Sequence, residues 1–400
     1  MNNITVVGKQ EEAPYRQFIE SYGSPLLVLD CEALRQHYQK LKRALPGVEL
    51  FFAIKSMPVE QALITLASEG ASFDIATSGE IDMLRKIGVQ SSRTVHTHPI
   101  KRDIDIRDAL TFGCKTFVVD NIDELQKFVP WSKNVEILLR VSFRGKDAAC
   151  DLSRKFGCGV QKVLFLLEEA SRLGIKVKGL SFHVGSQSMT PDGHIEAINA
   201  CREFFMDSTL CGTEHLTMLD IGGGFPADYQ RSGFDLEAFC APIVHALAEY
   251  PAHVRIIAEP GRVLSAPCMT SICTVVGKAE RAEEQWYYLD DGVYGGYSGI
   301  VYDHGCYPLT LFSDGECSYP SVLAGPTCDS IDIVQETTNL PLLQIGDILV
   351  GEQMGAYSIA TASEFNSIPK PKLVVINSSK PLAYAQEERT RFKPVVAAVN

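Results

Sequence analysis

Short β-rich runs recur along the first two thirds of the chain, with helical stretches between them. The runs are VELFFAI (48–54), ASFDI (71–75), RTVHT (93–97), KTFVV (115–119), VEILLRV (135–141), KVKGLSFHV (176–184), LTMLDI (216–221) and VRIIAE (254–259). Between them, segments such as SGEIDMLRKIG (78–88) and FDLEAFCAPIVHALAEY (234–250) carry apolar residues at helical spacing. Strands that alternate with helices predict parallel pairing. Eight such units suit a closed (β/α)8 barrel of the TIM type better than an open doubly wound sheet, which satisfies the same count.

After about residue 268 the pattern changes. SICTVVGKA (271–279), QWYYLDDGVYG (285–295), GDILVGEQMG (346–355) and KLVVINSS (372–379) come with turn residues and little helical periodicity. They predict an antiparallel β domain of modified Greek-key barrel or sandwich type. The segment before the barrel, including PLLVLD (25–30), is expected to join that domain. The expected organisation is therefore an N-terminal segment (1–30), a barrel (31–268), a β domain (269–379) and a polar, loosely attached tail from Lys380 to Asn400.

Composition narrows the function classes. Four hundred residues exceed one ordinary domain, and 46% hydrophobic with 22% charged residues describes a globular chain with a large core. A net charge of −12, from 37 basic and 49 acidic residues, argues against nucleic acid or an anionic membrane as partner. Twelve cysteines occur without a CxxC pair, so neither a zinc ribbon nor a redox dithiol is expected, and no metal site is read. No apolar run approaches a membrane span and none resembles a signal peptide, so the chain reads as cytoplasmic with free thiols.

In a barrel, chemistry sits at the C-terminal ends of the strands. Those ends carry Lys55, Asp74, His98, Arg140 and His183; the seventh run leads into Gly222-Gly223-Gly224 and the eighth into Glu259-Pro260-Gly261-Arg262. Lys55 follows an apolar strand, where desolvation would lower its pKa for Schiff-base chemistry; the same position suits a lysine snorkelling to the rim. His183 lies between Phe182 and Val184, as core histidines also do. The glycine run fits a tight turn or a phosphate cradle, and the loops after strands 7 and 8 are the usual phosphate site of such barrels. A Schiff-base lysine beside a phosphate site points to pyridoxal phosphate. Glu259 is then the anionic partner of its ring nitrogen, or else a carboxylate at a strand end.

At this point the residues match a known group. FFAIK (51–55), FDIATSGE (73–80), LSRKFGCG (152–159), SFHVGSQ (181–187), LDIGGGFP (219–226) and AEPGR (258–262) run in order along the barrel. DDGVYGGY (290–297), VYDHGCYP (301–308), GPTCDSID (325–332) and MGAYSIATASEFN (354–366) follow in the β domain. The chain resembles the barrel-type (fold type III) pyridoxal-phosphate-dependent decarboxylases of basic amino acids, and in particular the ornithine decarboxylases.

The resemblance implies decarboxylation of L-ornithine to putrescine in polyamine biosynthesis, with pyridoxal 5′-phosphate held as a Schiff base on Lys55. It places His183 against the cofactor ring and Glu259 at its nitrogen. Ser186, Gly222, Gly223, Gly224, Gly261, Arg262 and Tyr357 would hold the phosphate, with Asp74 and Arg140 on the ring side. It also implies a homodimer with shared sites, in which Cys328 protonates the substrate carbon across the interface. Asp303, Asp329 and Tyr302 would bind the substrate, its distal ammonium resting on the two aspartates. The segment from Phe143 to Cys158 would form a lid. Ser56-Met57-Pro58 after Lys55 departs from the family's commoner small residue and asparagine. Lysine or dual lysine/ornithine decarboxylation to cadaverine is the nearest alternative. Diaminopimelate decarboxylation fits less well, because Asp329 and Asp303 favour an ammonium end, and a non-catalytic regulatory homologue would have lost Lys55, His183, Glu259 or Cys328.

Overall fold

The computed structural model describes residues 3–144, 148–206, 213 and 216–378. The expected tail from Lys380 onward lies outside the described residues, as does Cys211.

Each of the eight runs forms a strand: β1 (Val48–Ala53), β2 (Ser72–Ile75), β3 (Thr94–His96), β4 (Thr116–Val119), β5 (Glu136–Val141), β6 (Val177–Phe182), β7 (Met218–Asp220) and β8 (Arg255–Ala258). All neighbours are parallel, and β8 pairs back onto β1 from Ile256↔Val48 to Ala258↔Leu50. That last pairing closes the ring and excludes the open sheet. The two-residue period of the strands divides the core. Phe51, Val95, Val118, Leu138, Met218 and Ile257 fill the barrel interior. Their neighbours Phe52, Leu139 and Ala258 belong to the larger core shared with the surrounding helices. With the middle of the barrel packed by apolar side chains, polar groups gather only at the C-terminal rim.

The helices form for local reasons. Asp235 caps Leu236–Leu247 by accepting from the N–H groups of Glu237 (3.0 Å) and Ala238 (3.2 Å). That helix buries Leu236, Phe239, Cys240, Ile243 and Leu247, one stripe at helical spacing. Among the described residues, no helix is long and apolar enough to cross a membrane.

The second domain is one nine-stranded sheet built on the long strand Met269–Arg281. This strand pairs antiparallel with Leu26–Asp30, Ile348–Gly351 and Glu284–Leu289. Two further antiparallel pairs join Leu309–Phe312 to Ile348–Gly351 and Tyr319–Ala324 to Ile333–Leu340. The sheet is nonetheless mixed. Ile4–Val7 lies parallel to Leu309–Phe312, Lys372–Ile376 to Leu26–Asp30, and Glu284–Leu289 to Tyr319–Ala324. These partners are joined by long stretches of chain rather than hairpins, and only hairpins oblige antiparallel pairing. Ile4–Val7 and the helix Ala13–Tyr22 have no counterpart in the sequence reading.

The sheet is anchored against the barrel mouth. Gly355 donates its N–H to the Ala266 carbonyl (3.2 Å), and Tyr357 donates to Ser56 (2.9 Å) in the turn that carries Lys55. The short helix Gly299–Asp303 brings Tyr302 and Asp303 to the same rim.

Candidate active site

A cavity of about 350 Å³ opens at the C-terminal end of the barrel. Lys55, Arg140, His183, Ser186, Glu259 and Arg262 line it, together with Gly223, Gly224, Gly261, Tyr302, Asp303 and Tyr357. Twelve of the residues singled out from sequence thus share one wall, and His98 joins them. Asp74 lies beneath, 2% exposed, and Gly222 begins the glycine turn.

Lys55 extends from the turn Ile54–Ser56 after β1, and its Nζ donates to Asp74 Oδ2 at 2.9 Å. Nearly half of its side chain is open to the cavity. The expected lowering of its pKa is not what this arrangement produces. Burial pulls the ammonium down, but the Asp74 and Glu259 carboxylates and the Tyr357 phenol outweigh it, so the pKa rises above the ordinary lysine value. Asp74 also accepts from Thr97 Oγ1. Burial, offset in part by Lys55, pushes its carboxyl up to about 6. Just outside, Glu80 accepts the Ala76 N–H at 2.5 Å, and burial pushes it up to about 7.

His183 Nδ1 accepts the Gly185 N–H at 3.0 Å, which leaves Nε2 to carry the proton. Burial, then the cations Arg140 and Lys55, hold its pKa well below the usual range, so the ring is neutral. Arg140 itself lies over the Phe156 ring at 5.3 Å. Phe156, Leu152 and Cys150 cover the cavity from the segment expected as a lid, and Ala148–Cys150 pairs antiparallel with Ser186–Ser188. Residues 145–147 of that segment lie outside the described residues.

The glycine turn is dictated by crowding. Gly222 has φ +66°, and a Cβ there would stand 2.2 Å from the Phe182 carbonyl oxygen. At Gly223 a Cβ would stand 2.7 Å from the Glu259 carbonyl oxygen and 3.1 Å from His183 Nε2. Gly222→Ala is therefore expected to cost about 1–3 kcal/mol or more. The thermal midpoint should fall, and a variant as stable as the parent would contradict the crowding. Arg262 is buried beside this turn. It donates to Ser186 Oγ (2.9 Å) and Tyr229 Oη (2.9 Å), pairs with the Asp303 carboxylate, and lies 5.0 Å from the Tyr357 ring centroid. A buried guanidinium with hydroxyls around it and an open glycine turn beside it is a site for a phosphate.

Cys328 and Asp329 are elsewhere. Neither lines this cavity. Cys328 is exposed, its N–H bonded to Asn366 Oδ1 at 2.9 Å. Asp329 Oδ2 accepts from Tyr294 Oη at 2.5 Å, and Tyr294 stacks on Phe365 with centroids 4.5 Å apart. Ile331 (53% exposed) and Phe365 (41%) leave this face apolar.

Sequence reasoning passed over several residues that shape the site. Thr97 stands next to His98, and Asp220 lies two residues before Gly222, so both had a positional signal. Tyr229 had none, because its hydroxyl meets Arg262 only through the fold. His194, fully buried on the helix Asp192–Met206, donates from Nε2 to the Gly223 carbonyl at 3.1 Å and stacks on Phe225.

Residues 31–266 match the family model for the pyridoxal-binding domain of pyridoxal-dependent decarboxylases. The chain is 35% identical to the lysine/ornithine decarboxylase of Selenomonas ruminantium, over 86% of its length and 87% of that protein's. It is also 35% identical to the ornithine decarboxylase of Mus musculus, over 87% of its length and 79% of that protein's. Crystal structures of the lysine/ornithine decarboxylase of Vibrio vulnificus, complexed with cadaverine and with putrescine, superpose with TM-scores of 0.88 and 0.87. Identity is 46% in both; the alignments cover 93% of this chain and 100% and 99% of those chains.

Proposed function

The chain belongs to the pyridoxal-dependent decarboxylases, with pyridoxal 5′-phosphate as cofactor and a basic amino acid as substrate, and from that premise we propose that it converts L-ornithine to putrescine and CO2. The observation that carries the substrate reading is the Asp303 carboxylate on the cavity wall, with Tyr302 beside it at 64% exposure. A carboxylate there suits the distal ammonium of a basic amino acid, and would repel the second carboxylate of a diaminopimelate.

The cavity fits the cofactor. The Gly222–Gly224 turn, free of side chains, and the Arg262–Ser186 pair suit a phosphate; Lys55 Nζ is the amine able to take an aldehyde carbon. When bound, the cofactor supplies an electron sink for the pair left as CO2 departs. The protein's part is positioning. Arg262, Ser186, Tyr357 and the glycines from Gly222 to Gly224, with Gly261, would hold the phosphate. His183, neutral and directed by Gly185, would lie against the ring, supported by Arg140 and Asp74. Glu259 would pair with the ring nitrogen. Phe156 and Leu152 keep water from the reacting carbon.

The substrate carbon needs a proton once CO2 has left. We assign its donor to Cys328 of a second copy, which would bring Asp329 to the distal ammonium opposite Asp303. The exposed apolar rim around Cys328 supports a homodimer with shared sites. The eleven described cysteines are all free thiols, which supports a reducing, cytoplasmic compartment.

Ornithine and lysine differ by one methylene, worth about 1–3 kcal/mol or 10–200-fold in a pocket. A dual specificity is favoured by one observation: the 46%-identical relative is named for both amino acids. Decarboxylation of ornithine, lysine, arginine and diaminopimelate should be compared through kcat/KM. Ornithine is expected first and lysine second; a lysine preference would overturn the assignment.

A further inference from the structure

Asp220 ends β7 immediately behind the glycine turn and is fully buried. Its Oδ1 accepts the Gly222 N–H at 2.9 Å. Its other oxygen, Oδ2, is enclosed by protein and, among the described residues, has no N–H or hydroxyl donor. The carboxyl of Glu259, just past the end of the neighbouring strand β8, lies within hydrogen-bonding reach of the Asp220 carboxyl. Two carboxylates in contact without water repel strongly; one proton between them turns repulsion into a hydrogen bond.

The surrounding charges favour the same count. Facing the pair are Lys55 from the turn after β1, Asp74 from β2, Arg140 from β5 and the neutral His183 after β6. Two cations stand against three carboxyls, so one proton brings the cluster to neutrality. We propose that Asp220 and Glu259 share a single proton and that Asp220 is the positioning residue that turns Glu259 towards the cofactor's ring nitrogen with one negative charge on the pair. The inference rests on the reading of Glu259 as partner of that nitrogen. The Gly222 N–H favours the charge on Asp220; Glu259 carries the proton on the side facing Asp220 and keeps its other oxygen free to accept. Burial and Asp220 both act to hold that proton on Glu259.

The pair can be observed directly in the cofactor-loaded protein by the infrared C=O stretch of a protonated carboxylic acid. The measurement belongs at about pH 9, where ordinary carboxyls are ionised and those pushed up to about 6 or 7, Asp74, Glu80 and Asp291, have also lost their protons. The wild-type protein should show the band, and both Asp220→Asn and Glu259→Gln should lose it. Asp220→Asn places an amide N–H where the shared proton stood and keeps the Gly222 contact, so cofactor affinity should stay within about threefold. Asp220→Leu removes both contacts and should weaken it at least about tenfold. A band that persists in Asp220→Asn, or an Asp220→Leu variant that binds cofactor like the parent, would overturn the proposal. Cofactor labelled with ¹⁵N in the ring separates this from the parent reading. A ring resonance unchanged by Glu259→Gln removes Glu259 from the nitrogen, and with it the purpose assigned to Asp220, whatever the infrared band shows.

Discussion

Lys55→Ala is expected to lower decarboxylation by at least about a thousandfold while leaving the fold in place. The lysine contributes little packing, since its side chain opens into the cavity from a three-residue turn. Its removal leaves the buried Asp74 without a counter-ion, but a carboxyl already pushed up to about 6 can take a proton and stay neutral at modest cost. Borohydride treatment of the loaded protein should attach the cofactor to the wild-type chain at Lys55 and fail to attach it in the variant; mass spectrometry reads the difference. Attachment at any other lysine would refute the assignment. Lys101 is the natural competitor, because burial lowers its pKa to about 8, which suits an amine nucleophile. Its Nζ, however, donates to the carbonyls of His98, Pro99 and Val118 and does not reach the cavity. Position decides between the two lysines, and it favours the one with the higher pKa.

The second large effect concerns Cys328. Cys328→Ala should lose about a hundredfold or more in clean diamine formation, the usual worth of a placed proton donor, with cofactor binding unchanged. Alone, that result does not say whose cavity the thiol serves. Mixing does. Lys55→Ala and Cys328→Ala chains should each retain about 1% of the activity or less, but a dimer containing one of each has one site with both groups intact if the sites are shared. Random reassortment makes half of the dimers mixed, so about one quarter of the wild-type activity should return. Activity that fails to return after confirmed subunit exchange would mean that Cys328 does not act across an interface. The same subunit arrangement would bring Asp329 to the cavity, where Tyr294 restrains its carboxylate.

Much of this molecule is legible before folding because its signals are local. The barrel strands are short apolar runs, and each keeps its bounds to within one or two residues, since burial on both faces selects the same apolar stretch that the eye selects. The residues at the C-terminal ends were found by position alone, and the structure gathers nearly all of them around one cavity. Lys55 shows where this reasoning stops. An apolar strand before a lysine implies desolvation and a lowered pKa, yet Asp74 and Glu259 arrive from other strands and reverse the sign. The sheet shows the same limit, because parallel partners such as Ile4–Val7 and Leu309–Phe312 come from opposite ends of the chain.

By itself, then, the sequence determined the alternation that makes a barrel, the family, the cofactor and the roll of chemical groups at the rim, all properties of residue order and spacing. The tertiary structure alone decided ring closure through β8 and β1, the charge balance around Lys55, the burial of Asp220 against Glu259, and the separation of Cys328 from the cavity. Each of those depends on distances between segments remote in the chain, and electrostatic and hydrogen-bond energies are set by distance and burial, not by order.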